Sequence, residues 1–386
     1  MHFLINGNMR KILFAFLALV VVIESYGQGA DESDTELPPG WWMLPKTSTQ
    51  LKIGGYVKVD MIHDFNPIGS PDFFDVSKIP TDGSKGESTH LHAKETRLYI
   101  DTKTPTKIGD IRTYVEGDFY GSGGAFRLRH AFIEIDDRWL VGQWWSNFMD
   151  ENIIPPTLDF EKPAAYAFAR HAMVRWKHPV TKDSYLSIAL EDPNAKGQNP
   201  SQPGEFESPL PDLTVRYRVT KDWGHVQLSG FAAQIRYRFA AGGKQDVSLF
   251  GLNFSGQYNL LDQDKIIYQV LYGPGVGRFR GGLSAALDSN GELEALTDVG
   301  ITAGYLHYWS KAFSSLVVYN WGSNDNTDGQ LSSDLNKTNY FAANLLWHFV
   351  DNAFVGMEYL HGRREDKSEL EGTANRLQFS VKYKFN

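Results

Sequence analysis

The C-terminal stretch Arg376-Leu377-Gln378-Phe379-Ser380-Val381-Lys382-Tyr383-Lys384-Phe385 alternates without a break between polar and apolar residues. A strand turns successive side chains to opposite faces. One face therefore carries Leu377, Phe379, Val381, Tyr383 and Phe385, and the other carries Arg376, Gln378, Ser380, Lys382 and Lys384. The same period of two recurs at Leu213, Val215, Tyr217 and Val219 against Thr214, Arg216, Arg218 and Thr220, and at Ile111, Thr113, Val115 and Phe119 against Arg112, Tyr114, Glu116 and Asp118. In a soluble sandwich the apolar face meets a second sheet. In an outer-membrane barrel it meets lipid, and the polar face meets water.

The connections decide between these two. About 16 such strands can be counted, starting near Leu51, Ala93, Gly109, Ala125, Arg138, Phe168, Asp183, Asp212, Gly224, Asp246, Lys265, Val299, Ala312, Asn339, Ala353 and Ala374. After the odd strands the connections are mostly long, at roughly 63–92, 147–167, 192–211, 273–298, 322–338 and 362–373, with two short ones at 121–124 and 240–243. After the even strands they are tight turns, near Pro105, Asp136-Asp137, Pro179, Lys221-Asp222, Leu261-Asp262, Ser310-Lys311 and Asp351. Long loops on one rim, tight turns and both termini on the other, is the pattern of an up-and-down membrane barrel. The expected fold is all-β: a 16-stranded antiparallel transmembrane β-barrel over residues 51–386, with a constriction loop folded inward.

Composition closes other classes. The chain has 386 residues, no cysteine, a net charge of −8, and Gly 36, Tyr 18, Phe 24 and Trp 10, with a mean hydropathy of −0.35. Without cysteine there is no disulfide framework, thiolate metal site or cysteine nucleophile. A net negative chain argues against a nucleic-acid partner.

Arg10 and Lys11 precede an apolar run from Ile12 to Ile23, and Ser25-Tyr26-Gly27 supplies small residues for cleavage, so residues 1–27 read as a signal peptide. Residues 28–50, acidic and then Pro-rich, read as a disordered leader. Export with an amphipathic barrel implies the bacterial outer membrane, with lipid and lipopolysaccharide as neighbours. Trp144, Trp145, Trp176, Trp223, Trp309, Trp321 and Trp347 fall near predicted strand ends, as the aromatic girdle of a barrel requires.

The polar faces over-use arginine: Arg97, Arg112, Arg127, Arg129, Arg175, Arg216 and Arg218, then Arg236 and Arg238. In a narrow aqueous lumen such a row concentrates anions and offers bidentate partners to carboxylates. The bland alternative is that these arginines pair with Glu95, Asp101, Glu116, Asp118 and Glu134. Residues 147–167 have no period and contain Pro155, Pro156 and Pro163. A loop of that kind is usually functional. Folded inward, it sets Asp150, Glu151, Asp159 and Glu161 opposite the arginines.

No catalytic or metal residue is expected, and no cofactor. His90 and His92 lack a local third ligand, and neither GxGxxG nor GxSxG occurs. A structural or adhesive barrel, or an outer-membrane hydrolase built from separated residues such as His225, His307 and His348, are the alternatives to a channel.

The runs GDIRTYVEGDFYG (109–121), FRLRHAFIEI (126–135), GQWWSNFMD (142–150) and PPTLDFEKPA (155–164), followed by SIALEDP (187–193), PDLTVRYR (211–218), GHVQLSG (224–230), YGPGVGRF (272–279) and HYWS (307–310), resemble the DcaP-like porins, outer-membrane dicarboxylate channels. The resemblance implies a homotrimer of such barrels, in which the third extracellular loop narrows a pore for small anionic solutes such as dicarboxylates. By the matching motifs, Arg127, Arg129, Arg216 and Arg218 would line it, with Arg112 nearby.

Overall fold

The last strand hydrogen-bonds the first: Gly55 faces Phe385, and the antiparallel register runs to Asp64 opposite Arg376. In this computed structural model, which describes residues 37–193, 196–198, 202–261 and 263–385, that pairing closes a barrel of 16 antiparallel strands. They are β1 Gln50–Asp64, β2 Arg97–Thr106, β3 Gly109–Asp118, β4 Arg127–Ile135, β5 Trp139–Trp145, β6 Arg170–Thr181, β7 Ser184–Glu191, β8 Asp212–Lys221, β9 Gly224–Phe239, β10 Lys244–Leu260, β11 Asp264–Pro274, β12 Thr297–Tyr308, β13 Phe313–Asn324, β14 Leu335–Val350, β15 Ala353–Asp366 and β16 Glu371–Phe385. Each pairs with its sequence neighbours.

The expected signal peptide, and the leader as far as residue 36, lie outside the described residues. Within the remainder of the segment read as leader, Trp42–Met43 pairs with Leu51 and Gln50, so strand pairing begins there.

Burial follows the alternation with its usual sign reversed. On β8, Leu213 and Tyr217 are 42% and 41% exposed, while Asp212 and Thr214 are 0% and Arg216 2%. On β16, Phe379, Val381 and Tyr383 are exposed, while Arg376, Gln378 and Ser380 are buried. Leaving so much contiguous apolar surface in water would be prohibitive. A lipid-facing barrel accounts for it.

Strand starts lie close to those expected, the widest misses being Arg97 for Ala93 and Leu335 for Asn339. Two connections are shorter than expected. The loop read at 362–373 shrinks because β15 and β16 pair out to Glu365 opposite Glu371, and the one read at 322–338 shrinks because β13 and β14 extend to Asn324 and back to Leu335. Beyond the bilayer both faces of a strand are wet, so the apolar alternation that identifies it stops while the ladder continues.

The tryptophan expectation holds in part. Trp223, Trp309 and Trp347 are exposed near the tight turns, but Trp145 is 8% exposed and Trp144 packs on Tyr114, His130 and Phe132. Those two are wall residues, because the loop following β5 covers them.

Several long connections are buried against the inner wall. Phe74, Val76 and Ile79 of the first loop pack on Leu316, Val318, Tyr340, Ala342 and Leu360 of β13–β15. Phe148 and Phe279, from two other loops, stack with ring centroids 4.3 Å apart and cluster with Phe231, Leu249 and Leu271 of β9–β11. Apolar residues on the inner face of β9–β15 thus find apolar partners on loops.

Candidate functional site

Two inner surfaces differ in kind. Strands β2–β6 carry arginines and carboxylates in alternating ranks; β7–β16 carry mostly amides, hydroxyls and apolar groups, joined by Arg216, Arg218, Glu358 and Arg376, and these hold the segment 146–169.

On the first surface Arg112 donates from Nε and Nη2 to Asp101, each at 2.9 Å, and Arg127 donates likewise to Asp118 at 3.0 and 2.9 Å. Arg129 reaches Glu116 at 2.8 Å and Asp118 at 2.9 Å. Arg97 stands 4.0 Å from Glu116, and Arg112 is 3.9 Å from Glu134. A register shift opposite Glu116–Gly117 lets β4 gain a residue. That bulge turns both Arg129 and His130 to the buried side, and a bulge re-aims side chains in just this way.

Not every arginine is paired. Among the described residues Arg175 has no ion-pair partner, and Arg170, which the sequence reading passed over, has its Nη1 buried without a hydrogen-bond partner. Arg170 instead lies over the rings of Trp145 and Phe168, at 5.0 and 5.9 Å.

Arg216 and Arg218 belong to the second surface. Arg216 donates from Nε and Nη2 to the Asn147 Oδ1 at 3.1 and 3.0 Å and from Nη1 to Glu151 at 3.4 Å. Arg218 donates to Asp150 at 3.3 Å. Arg236 and Arg238 lie toward the loop end of β9 and pair with Asp246 and Glu207.

The segment from Asn147 to Ala167 is stitched along β7–β16. The Phe148 carbonyl accepts from Ser229 Oγ and Asn253 Nδ2, at 2.6 and 2.7 Å, and the Met149 carbonyl from Gln227 at 3.1 Å. Asp150 takes bonds from His225 (2.8 Å) and Ser255 (3.1 Å). Farther on, Ala167 N donates to Gln269 and Ala165 N to Asn320. Leu158 N and Asp159 N donate to the two Glu358 oxygens, at 2.8 and 2.9 Å. Glycine makes room for this path: a Cβ on Gly300 would stand 2.3 Å from the Ala165 carbonyl oxygen.

The four acids expected on this segment therefore have distinct surroundings. Asp150 and Glu151 meet Arg218 and Arg216; Asp159 meets Arg376 at 2.7 Å; Glu161 meets no cation at ion-pair distance among the described residues. Burial, with Asp75 and Asp159 nearby, pushes the Glu161 carboxyl up to about 7. Burial also opposes ionisation of Asp150, but the His225 hydrogen bond and the Arg218 charge outweigh it and hold that carboxyl below its ordinary value.

Where the loop approaches β1, β2 and β16, a cavity of about 180 Å³ is lined by Arg97, Arg129, Lys162, Lys382, Tyr56, Glu95, Phe160 and Trp145, with Pro155 and Pro156 among its other walls. Phe160 is its pivot, with the guanidinium carbons of Arg129, Arg127 and Arg97 at 5.4, 5.6 and 5.9 Å from its ring centroid. Cations above an aromatic face are attracted by its quadrupole. Lys58, Lys162 and Lys382 are not among the basic residues expected to line the channel. Lys58 and Lys382 lie on the polar phase of β1 and β16, so the alternation carried their signal; counting arginine alone missed it.

His90 and His92 both lie near Asp72, with His90 Nε2 3.2 Å from it. Among the described residues no group of three or more histidine or acidic side chains is arranged to hold a metal ion.

The DcaP outer membrane protein family matches residues 42–385. The chain belongs to that family. Membership, with the closed barrel, makes it an outer-membrane porin-type channel. Among solved structures it is similar to the outer membrane channel DcaP of Acinetobacter baumannii, at 23% identity and a TM-score of 0.78 over 88% of this chain and 98% of that one. It is also similar to an anion-selective porin from Comamonas acidovorans, at 10% identity and a TM-score of 0.57 over 87% and 100% of the two chains. The trimer form of OmpT from Vibrio cholerae aligns at 12% identity and a TM-score of 0.57, over 88% and 100%. At these identities the likeness carries the fold. No curated protein matches the chain.

Proposed function

We propose that this DcaP-family channel is a passive conduit for small anionic solutes, dicarboxylates among them, that works as a homotrimer in the outer membrane. The loop 147–167 narrows the bore. Solutes pass between that loop and the wall formed by Arg97, Arg112, Arg127, Arg129, Arg170 and Arg175. The observation that carries the reading is the surplus of unpaired cations on this side: Arg170 and Arg175 lack a carboxylate partner among the described residues, whereas Asp101, Glu116 and Asp118 are each bound to arginine. A guanidinium keeps its charge at any relevant pH, and low-dielectric walls focus its field, so an anion gains where a cation loses. Arg216 and Arg218 hold the loop in this scheme and act on solute only through its position.

Reconstitution in planar bilayers tests the proposal. Conductance steps with a reversal potential biased toward chloride in a KCl gradient, and permeation of succinate and phosphate, are expected. Silence would favour a structural barrel, and a cation-biased potential would remove the arginine wall from the conducting path. That the similar proteins include an anion-selective porin and a trimeric form supports the choice of solute charge and assembly.

A further inference from the structure

The 180 Å³ cavity beside the loop has two kinds of cation in its wall. Its guanidiniums are engaged, since Arg129 is bound to Glu116 and Asp118 and Arg97 faces Glu116. Its one carboxylate is engaged too: Glu95 accepts from Lys58 Nζ at 2.5 Å and from the Tyr56 hydroxyl at 3.1 Å. The two remaining ammonium groups are bound only by neutral partners. Lys162 Nζ donates to the Thr157 hydroxyl at 2.7 Å and the Asp159 carbonyl at 3.4 Å. Lys382 Nζ lies 3.8 Å from the centroid of the Tyr56 ring. Neither has a carboxylate at ion-pair distance among the described residues. An ammonium has three donors and is strongly hydrated, so two of them with donors to spare in one small cavity make a place where an anion replaces lost water.

We infer that Lys162 and Lys382 are the specificity-determining residues of the channel, forming with the Arg97–Arg129 wall a seat that favours a dianion over a monoanion of the same size. The inference rests on the anion-channel reading. A second negative charge repays little in a wide aqueous pore, where one Debye length screens it. In this cavity four cationic side chains, Arg97, Arg129, Lys162 and Lys382, line one small space, so a second carboxylate also meets positive charge. The two lysines come from different parts of the chain, one on the loop and one on the closing strand, so the seat exists only when the loop is home.

The test compares succinate with butyrate, which have the same chain length and differ by one carboxylate, in bilayers holding the purified full-length protein. Wild type is expected to prefer succinate. Lys162→Gln with Lys382→Gln should lower the succinate-to-butyrate permeability ratio about tenfold, while the chloride-over-potassium preference, set by the arginines, stays anionic. Lys162→Arg with Lys382→Arg keeps both charges and should retain most of the ratio. An unchanged ratio in the glutamine variant, with channels that still conduct and still prefer chloride, overturns the inference alone. A wild-type channel that is silent or cation-selective overturns the anion-channel reading, and the inference with it. If the glutamine variant does not assemble, the single variants Lys162→Gln and Lys382→Gln carry the comparison, and a wild-type ratio in both counts against the seat.

Discussion

Arg376 on β16 binds Asp159 of the loop through Nη1 at 2.7 Å, and with Nε and Nη2 it grips Asp64 of β1 at 2.7 and 2.9 Å. One fully buried guanidinium thus joins the barrel's closing seam to the segment 147–167. Removing it leaves two buried carboxylates without their cation, a cost of about 3–5 kcal/mol for a pair of this kind. Arg376→Leu is expected to release the far half of the loop. Larger, noisier single-channel steps and proteolytic cleavage within 155–163 are the readouts; a wild-type step size would mean that the Glu358 bonds hold the loop unaided.

Gly300 on β12 tests the near wall. With 2.3 Å between its would-be Cβ and the Ala165 carbonyl oxygen, Gly300→Val cannot coexist with the present loop path. The barrel should still assemble, because β12 keeps its ladder, and conductance should rise. Unaltered conductance, with normal resistance of the loop to protease, would contradict the close approach.

Phe160 places its ring within 6 Å of three guanidiniums and packs on Tyr120 and Phe73, at centroid distances of 4.5 and 5.5 Å. The ring is 8% exposed and Arg129 1%, so each cation contact is worth more than at an exposed site, about 1–2 kcal/mol. Phe160→Ala should therefore loosen the arginine wall, widening the pore and lowering the chloride-over-potassium ratio roughly threefold. Phe160→Tyr keeps the ring and should behave as wild type.

Glu161 predicts a pH dependence. Its carboxyl, raised in the folded state to about 7 from an ordinary 4.5, holds its proton where the unfolded chain has already lost it. The favourable contribution is therefore fully present below the ordinary value and is lost as pH rises through about 7. Hydrogen exchange in residues 157–163 should quicken between about pH 5 and 7 beyond its intrinsic pH dependence and level off above that, and Glu161→Gln should flatten that excess. An excess that persists in the variant would assign the titration elsewhere.

The site was legible only in outline. The motif carrying Arg127 and Arg129 was readable as polar-faced, yet the bulge that turns Arg129 and His130 inward together depends on the register between β3 and β4, to which the period of a single strand is blind. Arg216 and Arg218 looked equivalent to them in sequence. Their partners in the loop, Asn147, Asp150 and Glu151, give them a different place.

By itself the sequence determined that amphipathic strands alternate with long loops and tight turns, because a period of two is a local property that every strand writes into its own residues. The number of strands and the lipid-facing set of side chains follow from it. Only the tertiary structure decided which charges are cancelled and which remain. Ion pairing joins residues as distant as Asp64 and Arg376, 312 positions apart, and a loop without periodicity reveals its path only through the wall that accepts its backbone.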